Sequence, residues 1–210
     1  MTSLSVSYCP PVAALFVAKD GTYFGLEGID PWDEERDARL YAGPWPVVAH
    51  PPCKSWSHMG NCRPDTVARG DGGTFTAALA AVERFGGVLE HPALSRAWRA
   101  FGIPRPPEYG WERSLWPDRI GWTTSVDQAA YGHPCHKETW LYFVGGVGKY
   151  APGTPPTLDW RRIETGRRVA QDGGGGRDQR SRTPEAVRDV LLEMARTVSP
   201  PVAAGNARAA

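Results

Sequence analysis

Two short apolar runs, each closed by a proline, constrain this chain more than any other feature. The first, Pro46 to Ala49, stops at His50-Pro51-Pro52-Cys53, and the second, Val88-Leu89-Glu90, stops at His91-Pro92. Runs this short are strand-like, and a proline after them neither extends a helix nor donates to a central ladder. Between them Phe75, Ala78, Leu79, Val82 and Phe85 recur at helical spacing, with Thr74 as the expected N-cap and Gly86-Gly87 as the stop. Strand, helix, strand is the unit of a parallel sheet. A right-handed crossover then brings Cys53 and Glu90 to one edge of that sheet, the edge at which open α/β sheets bind ligands.

The rest of the chain fits around this unit. Val12 to Val17 reads as a strand, Lys19-Asp20-Gly21 as a turn, and Tyr23 to Ile29 as a second extended piece. Asp33 to Tyr41 reads as a short helix. Thr123 to Gln128 and Thr139 to Val144 read as strands either side of the polar loop Tyr131 to Lys137. A last helix is predicted with Thr183 as cap, Pro184 at its first position, and Val187, Val190, Leu191 and Met194 on one face. The expected organisation is one α/β domain over residues 1–198, with 150–182 as a flexible Arg/Gly-rich insertion and 199–210 as a disordered tail.

With 210 residues, 41% of them hydrophobic, the chain can bury a core without disulfides. No apolar run approaches the roughly 18 to 20 residues of a membrane span, and Cys9-Pro10-Pro11 interrupts the one candidate leader, so the expectation is a soluble cytoplasmic protein. Its four cysteines, Cys9, Cys53, Cys62 and Cys135, are then thiols, catalytic groups or metal ligands. A net charge of +1 gives no global basic footprint for nucleic acid. Locally, Arg161, Arg162, Arg167, Arg168, Arg177, Arg180 and Arg182 crowd around Gly173 to Gly176, as a solvated loop or as an arm that tracks a phosphate backbone.

All five histidines, His50, His58, His91, His133 and His136, fall in the three loops that also hold three of the cysteines. That clustering points to a site. Cys53, on a turn stiffened by two prolines and followed by Lys54, Ser55, Ser57 and His58, suits a nucleophile, against the alternative of a buried structural thiol. Glu90 suits a carboxyl whose pKa is raised at the rim of an apolar sheet, so that it donates a proton, against the alternative of a helix cap or arginine partner. His50, Cys53, His58, Cys62, Cys135 and His136 outnumber the ligands zinc needs, but their spacing matches no tight knuckle, and no metal is expected.

These residues resemble motifs of the cytosine C5 DNA methyltransferases, especially small divergent proteins of that type from phages and prophages. Ala49-His50-Pro51-Pro52-Cys53 with Ser55 and Ser57 is similar to the family's Pro-Cys loop. Leu89-Glu90-His91-Pro92 is similar to its Glu-Asn-Val element, and Gln128 through Lys137 to its Gln-x-Arg-x-Arg segment, in the family order. Arg182-Thr183-Pro184-Glu185 adds weaker support. The resemblance implies a Rossmann-like methyltransferase-type sheet flanked by helices, in a bacterial host cell. It implies that Cys53 attacks C6 of a pyrimidine while Glu90 holds N3, and that C5 takes a methyl group from S-adenosylmethionine. His50, Ser55, His91, Gln128, His133 and Lys137 would contact the substrate, DNA or a pyrimidine nucleotide. Phe16, Gly21 and Asp30 would contact the cofactor, although Phe16-Val17-Ala18-Lys19-Asp20-Gly21 carries one glycine where the family has Phe-x-Gly-x-Gly. The stretch before the last helix is too short for a target-recognition domain, which implies a separate partner for sequence reading.

Two other readings stand beside this one. A homologue without activity would bind nucleic acid or a partner, with Trp56, Trp98, Trp111, Trp116, Trp122 and Trp140 as stacking surface unless they are core. A zinc-dependent hydrolase or deaminase would use Glu90 on a metal-bound water.

Overall fold

A computed structural model describes residues 11–56, 70–114, 119–134, 136–145, 155–158 and 182–198. The fold is α/β, with a seven-stranded mixed sheet ordered β2-β1-β3-β4-β7-β6-β5 between helices. The strands are β1 (Val12–Leu15), β2 (Ile29–Trp32), β3 (Val47–Ala49), β4 (Gly87–Pro92), β5 (Glu112–Arg113), β6 (Trp122–Asp127) and β7 (Glu138–Val144). The first four are mutually parallel, and β7, β6 and β5 continue the sheet as an antiparallel run.

The predicted strand–helix–strand unit is present: β3, then α1 (Thr74–Phe85), then β4, with Val48 opposite Val88. Gly87 is required there, because a Cβ on it would run into the backbone of Val47. Period-2 alternation splits the core into two layers. Leu15, Ala49, Leu89 and Tyr142 pack under α1 and α2 (Arg96–Ala100), together with Phe75 and Trp98. Val12, Ala14, Val48, Val88, Leu141 and Phe143 pack under α3 (Glu185–Arg196) with Val187, Leu191 and Met194.

Several local expectations are corrected. Tyr23 lies in a turn, and the second strand begins only at Ile29, so Asp30 is inside β2. Asp33 to Tyr41 holds just a 3-10 turn, Ala38–Leu40. Thr74 does not cap α1: the backbone N–H groups of Gly73 and Phe75 donate to Asp71, whose short side chain reaches over the first turn. Pro184, not Thr183, is the N-cap of α3, so the helix starts one residue later than expected, at Glu185. His91-Pro92 does not end β4, since β7 pairs with both residues. The expected insertion and tail lie almost wholly outside the described residues, as do Cys9, His58, Cys62, Cys135 and Trp116.

No helix among the described residues is long and apolar enough to cross a membrane. Trp98 and Trp140 are buried in the core and Trp56 packs against it, so these three serve packing.

Candidate active site

The order β2-β1-β3-β4 reverses direction of growth between β1 and β3, which opens a crevice at their carboxyl ends. His50 follows β3 directly, and its N–H donates to Leu15 of β1. Cys53 is three residues on, at the head of a turn closed by Trp56 N–H to the Cys53 carbonyl. That turn is tied down from several sides. The Ser55 hydroxyl donates to the Gly70 carbonyl, Trp56 Nε1 donates to Asp71, and the Arg96 side chain donates to the Ser55 carbonyl. Ser55 is thereby engaged in holding the turn.

Glu90 sits in the middle of a hydrogen-bonded chain that crosses the sheet. The Tyr23 hydroxyl lies 2.8 Å from His50 Nε2, and His50 Nδ1 lies 3.0 Å from Glu90 Oε2. Gln128 Nε2 donates to Glu90 Oε1 at 3.1 Å and to the Thr139 hydroxyl at 2.9 Å. Strand alternation explains the membership. His50 and Glu90 fall on the face of Val48 and Val88, where Tyr23 also packs. His91 points to the other face, fully buried with its ring against Phe75 and stacked on Trp98.

The electrostatics differ from expectation at both catalytic candidates. Burial opposes ionisation of Glu90, yet the hydrogen bond from His50, helped by Lys137, outweighs it and holds the carboxyl below its ordinary value. Glu90 is thus a resting carboxylate and not the raised proton donor the sequence suggested. Cys53 is a half-buried free thiol, pushed up by burial and then by the charge of Glu90, while Lys137 works in the opposite direction. It rests as a thiol. Burial also drives His91 down to about 4, so it is neutral at ordinary pH and belongs to the core, which removes it from the substrate contacts.

The loop after β6 is organised by Asp127. Its buried carboxylate accepts from the N–H groups of Ala129 and Lys137 and lies 2.7 Å from His136 Nδ1. Gln128 and His133 are buried there and linked through the backbone, His133 N–H to the Gln128 carbonyl. Lys137 is turned so that its ammonium donates to the Arg182 carbonyl, beside the start of α3. The structure therefore unites Tyr23, His50, Cys53, Glu90, Gln128, Thr139 and Lys137. Tyr23 and Thr139 were missed: Tyr23 is 27 residues from His50 in a turn, with no sequence signal, whereas Thr139 shares strand parity with Leu141 and was readable from it.

On the other side of the crevice, Phe16 adopts a left-handed φ of 58° just past β1, and Gly21 closes a turn on the Ala18 carbonyl. Asp30 is occupied, accepting from Trp32 Nε1 and Arg36 Nη1. Asp33, past the carboxyl end of β2, is buried and accepts from the Arg36 N–H through Oδ1. Among the described residues no group of three or more His, Cys, Asp or Glu side chains can hold a metal. The chain matches no family model, no curated protein and no solved structure.

Proposed function

We propose that this chain is a cytosine C5 methyltransferase-like enzyme that modifies a pyrimidine base, in DNA or as a nucleotide, through a covalent adduct with Cys53. The observation that carries this reading is the meeting of Cys53 and an ionised Glu90 at the carboxyl edge of two adjacent parallel strands. The parallel half-sheet with its switch point and the antiparallel β7 next to β4 also support a Rossmann-like methyltransferase fold.

Chemically, Cys53 loses its proton to solvent, Sγ bonds to C6, and the C5–C6 double-bond pair moves into the ring toward C5 and N3. As charge builds on N3 it takes a proton from solvent; Glu90, as a fixed carboxylate, accepts from that N3–H and from the neighbouring amino group, and the N3 proton returns to solvent when the electron pair moves back to C5 for methylation. S-adenosylmethionine, when bound, supplies the electrophilic methyl group. Loss of the C5 proton to solvent and expulsion of Sγ then restore the ring double bond. Lys137 favours the thiolate. The donor set fits the cofactor at one point: the buried Asp33 carboxylate, past the end of β2, suits a ribose diol. A base within duplex DNA must be extruded first, and reading of a DNA sequence falls to a separate partner.

The test is calorimetric titration with S-adenosylmethionine and S-adenosylhomocysteine, followed by mass spectrometry of duplex DNA, single-stranded DNA and cytosine nucleotides incubated with the protein. Saturable binding and a methylated base lost in Cys53→Ser support the reading. Binding of neither ligand, with nucleic acid still retained, favours an inactive homologue that binds nucleic acid, and stoichiometric zinc in the purified protein favours the hydrolase reading.

A further inference from the structure

We propose that Tyr23 and His50 are positioning residues: the Tyr23 hydroxyl donates to His50 Nε2, fixing the imidazole as its Nδ1–H tautomer, and that N–H holds Glu90 in one orientation. This deepens the reading of Glu90 as the group that meets the substrate, and rests on it for its functional meaning.

Three contacts decide the direction of the chain. Gln128 Nε2 can only donate, and it donates to Glu90 Oε1, so that oxygen is an acceptor. Glu90 is ionised, so its Oε2, 3.0 Å from His50 Nδ1, carries no proton, and two acceptors do not meet at that distance; the proton between them is on Nδ1. In a neutral ring Nε2 is left as an acceptor, and the Tyr23 hydroxyl, 2.8 Å away, is its donor. Tyr23 is 2% exposed, and its burial together with the Glu90 charge raises the phenol well above its ordinary value, so the hydroxyl keeps its proton.

The arrangement is built from distant parts. Tyr23 is carried by the turn after β1, and the neighbouring Thr22 is clamped by Arg188 of α3, which donates to its carbonyl and its hydroxyl. Both ring nitrogens of His50 are used up, so it does not contact the substrate directly. Its part is to keep one Glu90 oxygen occupied while the other is held by Gln128, which fixes the carboxylate plane. Glu90 then needs no reorientation when a pyrimidine edge arrives.

The experiment is two-dimensional long-range nitrogen–proton correlation on the full, nitrogen-15-labelled chain at neutral pH, with His50 assigned by its loss in His50→Gln. The expected spectrum shows His50 protonated at Nδ1 and bare at Nε2, the minor tautomer of free histidine. In Tyr23→Phe the proton stays on Nδ1, where Glu90 still accepts it, while Nε2 loses its donor and its resonance moves to that of an unbonded ring nitrogen or of one that has taken a second proton. A wild-type His50 that is protonated at Nε2, or at both nitrogens, overturns the proposal without any variant, and so does an unchanged Nε2 resonance in folded Tyr23→Phe. The spectrum requires no substrate, so a failure of methyl transfer leaves this test intact, and an unlocked histidine leaves the proposed reaction intact.

Discussion

Glu83, on α1, and Glu90, in β4, each belong to a hydrogen-bonded chain that includes a tyrosine, yet their acidities shift in opposite directions. Glu83 accepts from the Tyr142 hydroxyl and pairs with Arg119, but burial dominates and its carboxyl is pushed up. Glu90 is the more deeply buried, 7% exposed, and still its carboxyl is held down, because the His50 contact and the Lys137 charge outweigh burial. Burial alone therefore does not decide the charge of a carboxyl in this fold. The balance does: at Glu83 burial exceeds what Arg119 and Tyr142 return, and at Glu90 His50 and Lys137 together exceed the cost of burial.

The largest effect expected from breaking that contrast is on turnover. Glu90→Gln removes the charge that stabilises the protonated pyrimidine edge, and methyl transfer should fall by about a hundred- to a thousandfold, the usual cost of losing one such electrostatic contact. Glu83→Gln should leave the rate within a few-fold of wild type, which on this scale is about 1 kcal/mol or less. Product formation followed by mass spectrometry measures both. Equal losses in the two variants would mean that Glu90 acts through the fold and not at the substrate.

Stability should separate the pair next, with opposite dependence on pH. The folded pKa of Glu90 is depressed, so its ionisation stabilises the fold above its unfolded value, near 4.5, and that contribution is lost as pH falls through the folded pKa. The folded pKa of Glu83 is raised, so its stabilising contribution is present below 4.5 and is lost as pH rises through the folded pKa. Glu90→Gln also turns an amide N–H2 toward one of two buried donors, at about 1–3 kcal/mol. In urea unfolding, the cost of Glu90→Gln should grow as pH rises through this region, and the cost of Glu83→Gln should shrink. Parallel trends would contradict the opposite shifts.

How far the sequence reveals these two sites follows from how local each one is. The β3–α1–β4 unit was legible because Val88-Leu89 and the Phe75 to Phe85 spacing are local patterns, and with it came the shared edge for Cys53 and Glu90. The direction of the Glu90 shift was not, because it depends on His50, 40 residues away, and on the charge of Lys137 from the loop before β7. His91 was misassigned for a nearby reason. Adjacent residues in a strand face opposite layers, so Glu90 at the site places His91 among Phe75 and Trp98. Gly73, not Thr74, is the N-cap of α1, and an aspartate three residues before Thr74, Asp71, accepts from the Gly73 and Phe75 N–H groups across two glycines. Tyr23 had no pattern to betray it at all.

The thiol of Cys53 sharpens the contrast by a third measurement, since the Glu90 charge raises it and Glu83 is not among the groups that act on it. Alkylation by iodoacetamide follows the thiolate fraction, and peptide mapping reads Cys53 apart from Cys9, Cys62 and Cys135. Glu90→Gln should speed alkylation of Cys53 even though it slows methyl transfer, by roughly tenfold if one pKa unit is released. Glu83→Gln should leave the alkylation rate alone. A slower Cys53 in Glu90→Gln would mean that the carboxylate assists the thiol and does not oppose it.

Lys137 supplies the smallest and most discriminating step. Its charge lowers both Cys53 and Glu90, so its removal pushes both up, and the two consequences compete at the thiol. Losing the ammonium raises Cys53 directly, whereas any weakening of the Glu90 charge relieves it. Because Glu90 keeps its bonds to His50 and Gln128, it stays ionised near neutral pH and the direct effect wins. Lys137→Gln should therefore slow alkylation of Cys53 by about threefold, the change in thiolate fraction for half a pKa unit. In the Glu90→Gln background the same substitution should slow it by a similar factor, since no carboxylate remains to respond. Alkylation that speeds up in the single variant and slows in the double would show that Lys137 acts on the thiol chiefly by keeping Glu90 charged, and would make the ion pair across the site, and not the thiol's own surroundings, the control on Cys53.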